Sequence, residues 1–225
     1  MINYEKILSL LTKDIKHFSK IKKKYIKLVI VTKAQKIDAI NTLINLGYTT
    51  FGENYVQEAV EKIKIINKKN IYWHYIGKIQ SNKIKQIVQY FDWIQTISSL
   101  KHVKIINSIS NDFNKIMNVC IQVNIDEEIS KSGLNINELE TFIESIKNYE
   151  NIKVRGIMSI PSKPNALKGK ENSYKILKSM YDNLCKKYKG FDTLSLGMSN
   201  DYKLAMKNGS NLIRVGTLIF GKRDL

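Results

Sequence analysis

The stretch Leu28-Val-Ile-Val-Thr-Lys-Ala-Gln35 decides the fold. Four successive aliphatic residues leave no polar face, so 28–31 reads as a strand buried on both sides, as in a parallel sheet. Parallel strands joined by helices form either an open, doubly wound sheet or a closed barrel. The open sheet marks its first crossover with a glycine-rich phosphate loop. Here that position holds Thr32-Lys33-Ala34-Gln35, with no glycine. The strand-then-helix pattern continues along the chain. Strands are expected at 28–31, 49–51, 71–76, 93–97, 118–124, 153–160, 193–196 and 212–219. Helices are expected at 37–46, 54–67, 81–90, 100–113, 137–149, 172–189 and 201–207. Ahead of them, 3–24 places Ile7, Leu10, Leu11, Ile15 and Phe18 on one helical face. Eight such units within 225 residues predict a (β/α)8 TIM barrel of the α/β class with an extra N-terminal helix. No linker divides it, so 1–225 is expected to be a single domain.

Composition limits what the barrel can be. Hydrophobic residues make up 43% of the chain, as in ordinary globular proteins. No apolar run approaches the ~20 residues that span a bilayer, so no membrane partner is expected. The start, Met1-Ile-Asn-Tyr-Glu, lacks the basic and apolar regions of a signal peptide, which predicts a cytoplasmic protein. Cys120 and Cys185 stand far apart, as reduced thiols rather than a disulfide framework or metal cluster. The net charge of +17 raises the question of nucleic acid. Yet arginine occurs only at 155, 214 and 223, and the remaining basic residues (37 − 3 = 34) are lysines scattered through the helices. The dense run Lys20-Ile-Lys-Lys-Lys24 reads as a solvated helix end, and no nucleic-acid partner is expected. In so lysine-rich a chain, the three arginines mark places where a guanidinium is specifically required.

Function in this fold collects at the C-terminal ends of the strands. Those ends carry Thr32-Lys33, Gly52-Glu53-Asn54, His74-Tyr-Ile-Gly77, Asn124, Met158-Ser-Ile160, Gly197-Met-Ser-Asn200 and Gly216-Thr217. A lysine at a strand end is ordinarily a solvated surface group. Lys33 differs in following four buried aliphatics, where partial desolvation lowers an amine's pKa and frees it to attack an aldehyde. Ser199 and the pair Gly216-Thr217 fall after strands seven and eight, where barrels commonly hold phosphate. Taken singly, Ser199 could be a plain N-cap and Gly216 a packing glycine. Arg214 lies two residues before Gly216 on the same face, so it points inward, either to work there or to pair with Glu53 or Asp201.

Together these segments resemble the YggS/PROSC family of pyridoxal 5′-phosphate (PLP) homeostasis proteins, whose barrel is similar to the N-terminal domain of alanine racemase. The resemblance rests on Leu28-Val-Ile-Val-Thr-Lys33, Phe51-Gly-Glu-Asn-Tyr-Val-Gln-Glu58, Trp73-His-Tyr-Ile-Gly77 with Gln80-Ser-Asn-Lys83, Ser130-Lys-Ser-Gly133, Val154-Arg-Gly-Ile-Met158, Leu194-Ser-Leu-Gly-Met-Ser199, and Ile213-Arg-Val-Gly-Thr217 with Ile219-Phe-Gly221. The segments occur in family order along essentially the whole chain. The resemblance implies PLP fold type III, with PLP carried as a Schiff base on Lys33. It further implies Asn54 beside the cofactor ring, Ile76 packed near it, Ser199, Gly216 and Thr217 on the phosphate, and Arg214 facing the pyridine nitrogen. One departure is Gln35-Lys36, where the family usually has Lys-Pro. Another is the lysine-rich loop after Pro161.

An arginine at the pyridine nitrogen disfavours its protonation and weakens the ring as an electron sink. Transamination and decarboxylation are therefore not expected. The resemblance implies a role in PLP (vitamin B6) homeostasis with little or no turnover, possible recipients being PLP-dependent apo-enzymes, and a monomer. The alternative is a fold-type III enzyme such as a weak amino-acid racemase. Related racemases use a second domain and a partner's tyrosine, and this sequence stops at Leu225, shortly after strand eight. His74 or Tyr75 would have to supply the second base, although a strand-three aromatic pair more often belongs to the core.

Overall fold

A computed structural model describes residues 3–128, 130–162 and 171–221. Pro164, most of the lysine-rich loop after Pro161, and Arg223 lie outside the described residues. Eight parallel strands close into a barrel in chain order. They are β1 (Lys27–Val31), β2 (Thr50–Glu53), β3 (Tyr72–Tyr75), β4 (Trp93–Ile97), β5 (Met117–Val123), β6 (Ile152–Ser159), β7 (Thr193–Ser195) and β8 (Leu212–Val215). β1 closes the ring by pairing with β8, Val29 opposite Arg214 and Ile30 opposite Val215. The helices are α1 (Tyr4–Lys22), α2 (Ile37–Asn45), α3 (Val56–Ile66), α4 (Ile84–Tyr90), α5 (Leu100–Asp112), α6 (Leu139–Ile146), α7 (Asn172–Lys187), α8 (Tyr202–Lys207) and α9 (Thr217–Phe220).

The expected strand eight is too long. It stops at Val215, Gly216 caps a new helix, and Thr217–Phe220 is helical, with the Phe220 N–H bonded to the Gly216 carbonyl at 3.0 Å. The apolar run Leu218-Ile-Phe220 has the composition of a strand, and position in the barrel overrides it. α3 also begins later than expected, at Val56, so Asn54 stands in the turn rather than on the helix. Residues 136–138 form a 3-10 turn held by an Asn135/Glu138 capping box, and α6 starts only at Leu139.

The extra N-terminal helix begins where Asn3 accepts a hydrogen bond from the Lys6 N–H. It packs on α8 and α9, with Tyr4 edge-on to Phe220 at 5.9 Å. Its buried residues are Leu8 and Leu11, whereas Leu10, expected on that face, is 60% exposed. Between barrel and helices lies the main core, where Ile30, Phe51, Ile94 and Leu194 are fully buried. Each such side chain contributes about 1.5–3 kcal/mol. Inside the barrel a smaller apolar cluster of Trp93, Cys120 and Met158 leaves room for polar groups.

Candidate functional site

At the C-terminal end of the barrel, the turn after β1 sits between the ends of β2 and β8. A Cβ on Gly216 would approach the Val31 carbonyl to 3.0 Å, so the start of α9 lies directly against β1. On the other side, the Thr32 hydroxyl donates to Glu53 at 2.7 Å and the Thr32 N–H to the Gly52 carbonyl. Lys33, half-buried, follows Thr32 in this turn. The structure thus places Lys33 on an arc running from Gly216 to Asn54.

Asn54 and Ile76 line one cavity of about 160 Å3 with Thr96, Gln122, Asn124, Lys131 and Met158. Gly77 makes this wall, because a Cβ there would meet the Asn54 carbonyl at 2.0 Å. Only glycine lets the end of β3 lie so close. The Asn54 Oδ1 atom is buried without a hydrogen-bond partner. A buried, unbonded amide oxygen costs about 1–3 kcal/mol, and this one belongs to a residue that lines the cavity.

On the opposite side, the Ser199 hydroxyl accepts from the Leu218 N–H at 3.1 Å and from the Gly216 N–H at 3.4 Å. Two backbone N–H groups, a serine hydroxyl and the neighbouring exposed Thr217 therefore converge at the start of α9. Gly197, with φ +96, turns the chain out of β7 to bring Ser199 there, and a Cβ on it would strike Ala205 at 2.6 Å. Asp201 steadies the same loop, accepting from the Met198 N–H at 2.7 Å and the Tyr174 hydroxyl at 2.5 Å.

Arg214 is 3% exposed and points into the barrel. It forms no ion pair with Glu53 or Asp201 among the described residues, so of the two readings the ion pair is set aside. Glu53 is bound by Lys62, and Asp201 by Tyr174 and Met198. Instead its guanidinium donates to the carbonyls of Ser195 (2.8 Å) and Ser159 (3.0 Å) and to the Ser195 hydroxyl (2.5 Å). Burial pulls its pKa down to about 10, with the Asp201 charge opposing the fall, so it remains a cation at neutral pH. The chain continues inward. The Ser195 hydroxyl donates to Gln95 Oε1 at 2.7 Å, and Gln95 Nε2 lies 2.8 Å from His74 Nδ1. Burial, helped by the Lys27 charge, lowers His74 to about 3, so the ring is neutral and Nδ1 accepts. Every donor in the series then runs from Arg214 toward His74.

Sequence reasoning missed Gln95 and Ser195, and it placed Ser159 at a strand end without giving it a role. The available signal was a glutamine in the fully buried strand Trp93-Ile-Gln-Thr-Ile97, where an amide must have a partner. His74 and Tyr75, the suggested second bases, are structural. His74 stacks on Trp93 (5.0 Å, 13°) and lines a cavity at the other, N-terminal end of the barrel. Tyr75 packs edge-on against Phe91, its hydroxyl donating to the Lys78 carbonyl.

Residues 8–224 match the model of the alanine racemase N-terminal domain family. A pyridoxal phosphate homeostasis protein of Pasteurella multocida is 40% identical over 203 residues, covering 88% of this chain and 87% of that protein. The chain belongs to the pyridoxal phosphate homeostasis protein family. The member from Escherichia coli K12 is 37% identical over 202 residues, covering 88% of this chain and 86% of its own. Among solved structures, PipY of Synechococcus elongatus with PLP bound superposes with a TM-score of 0.80 at 26% identity, covering 92% of this chain and all of PipY. Alanine racemase from Clostridium difficile shares the barrel alone, with a TM-score of 0.76 at 15% identity over 56% of that enzyme.

Proposed function

We propose that the protein binds PLP as a Schiff base on Lys33 and serves intracellular PLP homeostasis with little or no turnover. The observation that carries this reading is the arc of groups around the β1 turn, in a family whose member PipY has been solved with PLP bound. Its residues fit the cofactor. Lys33 supplies the amine, and Ser199, Gly216 and Thr217 would hold the phosphate. Asn54, whose buried oxygen has no partner, would take a donor beside the ring, with Ile76 packing near it. Arg214, its fork fixed by Ser195 and Ser159, would face the pyridine nitrogen. When bound, PLP supplies an aldehyde for imine formation and a ring that withdraws electrons.

The chain's own groups restrain further chemistry. The Arg214 cation would disfavour a proton on the ring nitrogen of bound PLP, and its orientation is fixed by three hydrogen bonds rather than by a carboxylate. A racemase needs a second acid/base group opposite the amine. His74 opens on the far end of the barrel and Tyr75 lies in the layer under the helices, which supports holding and releasing over catalysis. We take the protein to be a cytoplasmic monomer, one barrel domain that hands PLP to apo-enzymes. No described helix is long and apolar enough to cross a membrane. Added PLP should raise the visible absorbance of a lysine imine in the wild type and not in Lys33→Ala. A variant that keeps the band would overturn the assignment.

A further inference from the structure

Lys33 lies in a turn that is held from outside the barrel. The four residues 32–35 close with the Gln35 N–H on the Thr32 carbonyl at 3.0 Å. Ala34, the third of them, has φ +59, a left-handed place that glycine ordinarily fills. Left-handed backbone costs a non-glycine residue about 1–2 kcal/mol, so something must hold it.

Two side chains one turn apart on α3 do so. Lys62 is 4% exposed, and its ammonium donates to the Thr32 carbonyl at 2.7 Å, Glu53 Oε1 at 2.8 Å and Glu58 Oε1 at 2.5 Å. An ammonium has three protons, and all three are used. The same Glu58 oxygen accepts the Ala34 N–H at 2.5 Å. The Thr32 carbonyl and the Ala34 N–H flank Lys33 on either side, so both of its backbone neighbours are tied to one ion cluster. Glu53 is fully buried and its second oxygen, Oε2, has no partner. Burial raises its pKa, and Lys62 and the Thr32 hydroxyl oppose that rise. A buried carboxylate and ammonium in this arrangement are weak evidence for stability, which leaves their effect on the turn as the reason for the geometry.

We propose that Glu53, Glu58 and Lys62 are positioning residues. Their cluster holds the 32–35 turn in the conformation that presents Lys33 to the barrel mouth, and so sets how tightly and how fast PLP is taken up. The inference rests on Lys33 as the PLP lysine. It also explains why the motif Phe51-Gly-Glu-Asn-Tyr-Val-Gln-Glu58 matters beyond Asn54: its two acids serve the lysine of the preceding strand.

The full chain is titrated with PLP, and the dissociation constant and rate of imine appearance are read from absorbance. Circular dichroism and the unfolding midpoint are recorded for each variant. Glu58→Met removes the acceptor from a partly exposed site. Glu53→Gln with Lys62→Met removes the buried pair together, so that no buried charge is stranded and only the partly exposed Glu58 loses its ammonium. Each should fold, bind PLP about tenfold more weakly and form the imine more slowly. Adding Ala34→Gly to Glu58→Met should recover roughly fivefold, because glycine keeps a left-handed turn without an anchor. A merely structural role would not show that rescue. Folded variants with wild-type affinity and rate, or no recovery with Ala34→Gly, would overturn the inference. If the double variant does not fold, Glu58→Met and its rescue decide alone. The Lys33→Ala control separates the two readings. If it keeps the band, the PLP site and its clamp both fall; if it loses the band while the clamp variants behave as wild type, only the clamp falls.

Discussion

At the N-terminal end of the barrel, Arg155 pairs with Asp192 through both its Nε and Nη2 atoms, donates to Asn118 and lies 5.2 Å over Trp93. At the C-terminal end, Arg214 spends its fork on the carbonyls of Ser159 and Ser195 and has no carboxylate. The first end holds the larger cavity, about 700 Å3 against 160 Å3 at the mouth. Volume therefore does not choose the site. At the N-terminal end Arg155 is paired with Asp192 and Asn118, and His74 Nδ1 is bonded to Gln95. At the mouth Asn54 keeps a buried oxygen unbonded, and backbone donors at 216 and 218 meet only a serine hydroxyl. The end with the unbonded oxygen and the exposed donors is the one where PLP is proposed to bind.

The largest effect should come from exchanging the same substitution between the two ends. Arg214→Met leaves two carbonyls and a serine without their donor, at about 1–3 kcal/mol for each buried group left unbonded, and PLP affinity should fall at least tenfold. Arg155→Met should lower the unfolding midpoint while leaving PLP affinity within about twofold. Equal losses of affinity at both ends, measured by titration, would break the comparison.

Ser199→Ala tests the donor cluster at α9. Removing one hydroxyl from a charged ligand should weaken PLP about tenfold. Inorganic phosphate, as a competitor, should lose affinity in parallel. Asn54→Ala sharpens the meaning of an unbonded oxygen. With no native bond to lose, stability should change little, while PLP binding weakens by roughly fivefold. A large drop in the unfolding midpoint would show that Asn54 is structural.

The smallest effect on PLP is expected at His74. Its folded pKa, about 3, lies below the ordinary 6.5, so the unfolded chain takes up the proton first as pH falls. The stability that neutral His74 contributes is complete above pH 6.5 and is lost progressively toward pH 3. His74→Gln should flatten the unfolding free energy over that window and leave PLP affinity at neutral pH nearly unchanged. An unaltered pH slope would contradict the buried, neutral ring.

Much of this was legible in the sequence because burial writes itself into composition. Runs such as Leu28-Val-Ile-Val31 admit little but a parallel strand, and ordered strand ends put Lys33, Asn54, Ser199 and Arg214 at one mouth. Strand eight was misjudged since Leu218-Ile-Phe220 is apolar in either conformation, and only the closing of the ring on β1 ends the strand at Val215. The polar network that starts at Arg214 was hidden for another reason. Ser159, Ser195 and Gln95 come from three strands, and no local pattern links them. The clamp on the 32–35 turn was hidden likewise, since Lys62 is one lysine among many until it is seen to be buried.

The central claim is that one lysine in a lysine-rich chain carries PLP. Borohydride reduction of the PLP-loaded protein, followed by peptide mass spectrometry, tests it directly. The account predicts the reduced pyridoxyl-phosphate adduct on Lys33 at one equivalent of cofactor, and its loss in Lys33→Ala. An adduct on another lysine, with Lys33 unmodified, would contradict it.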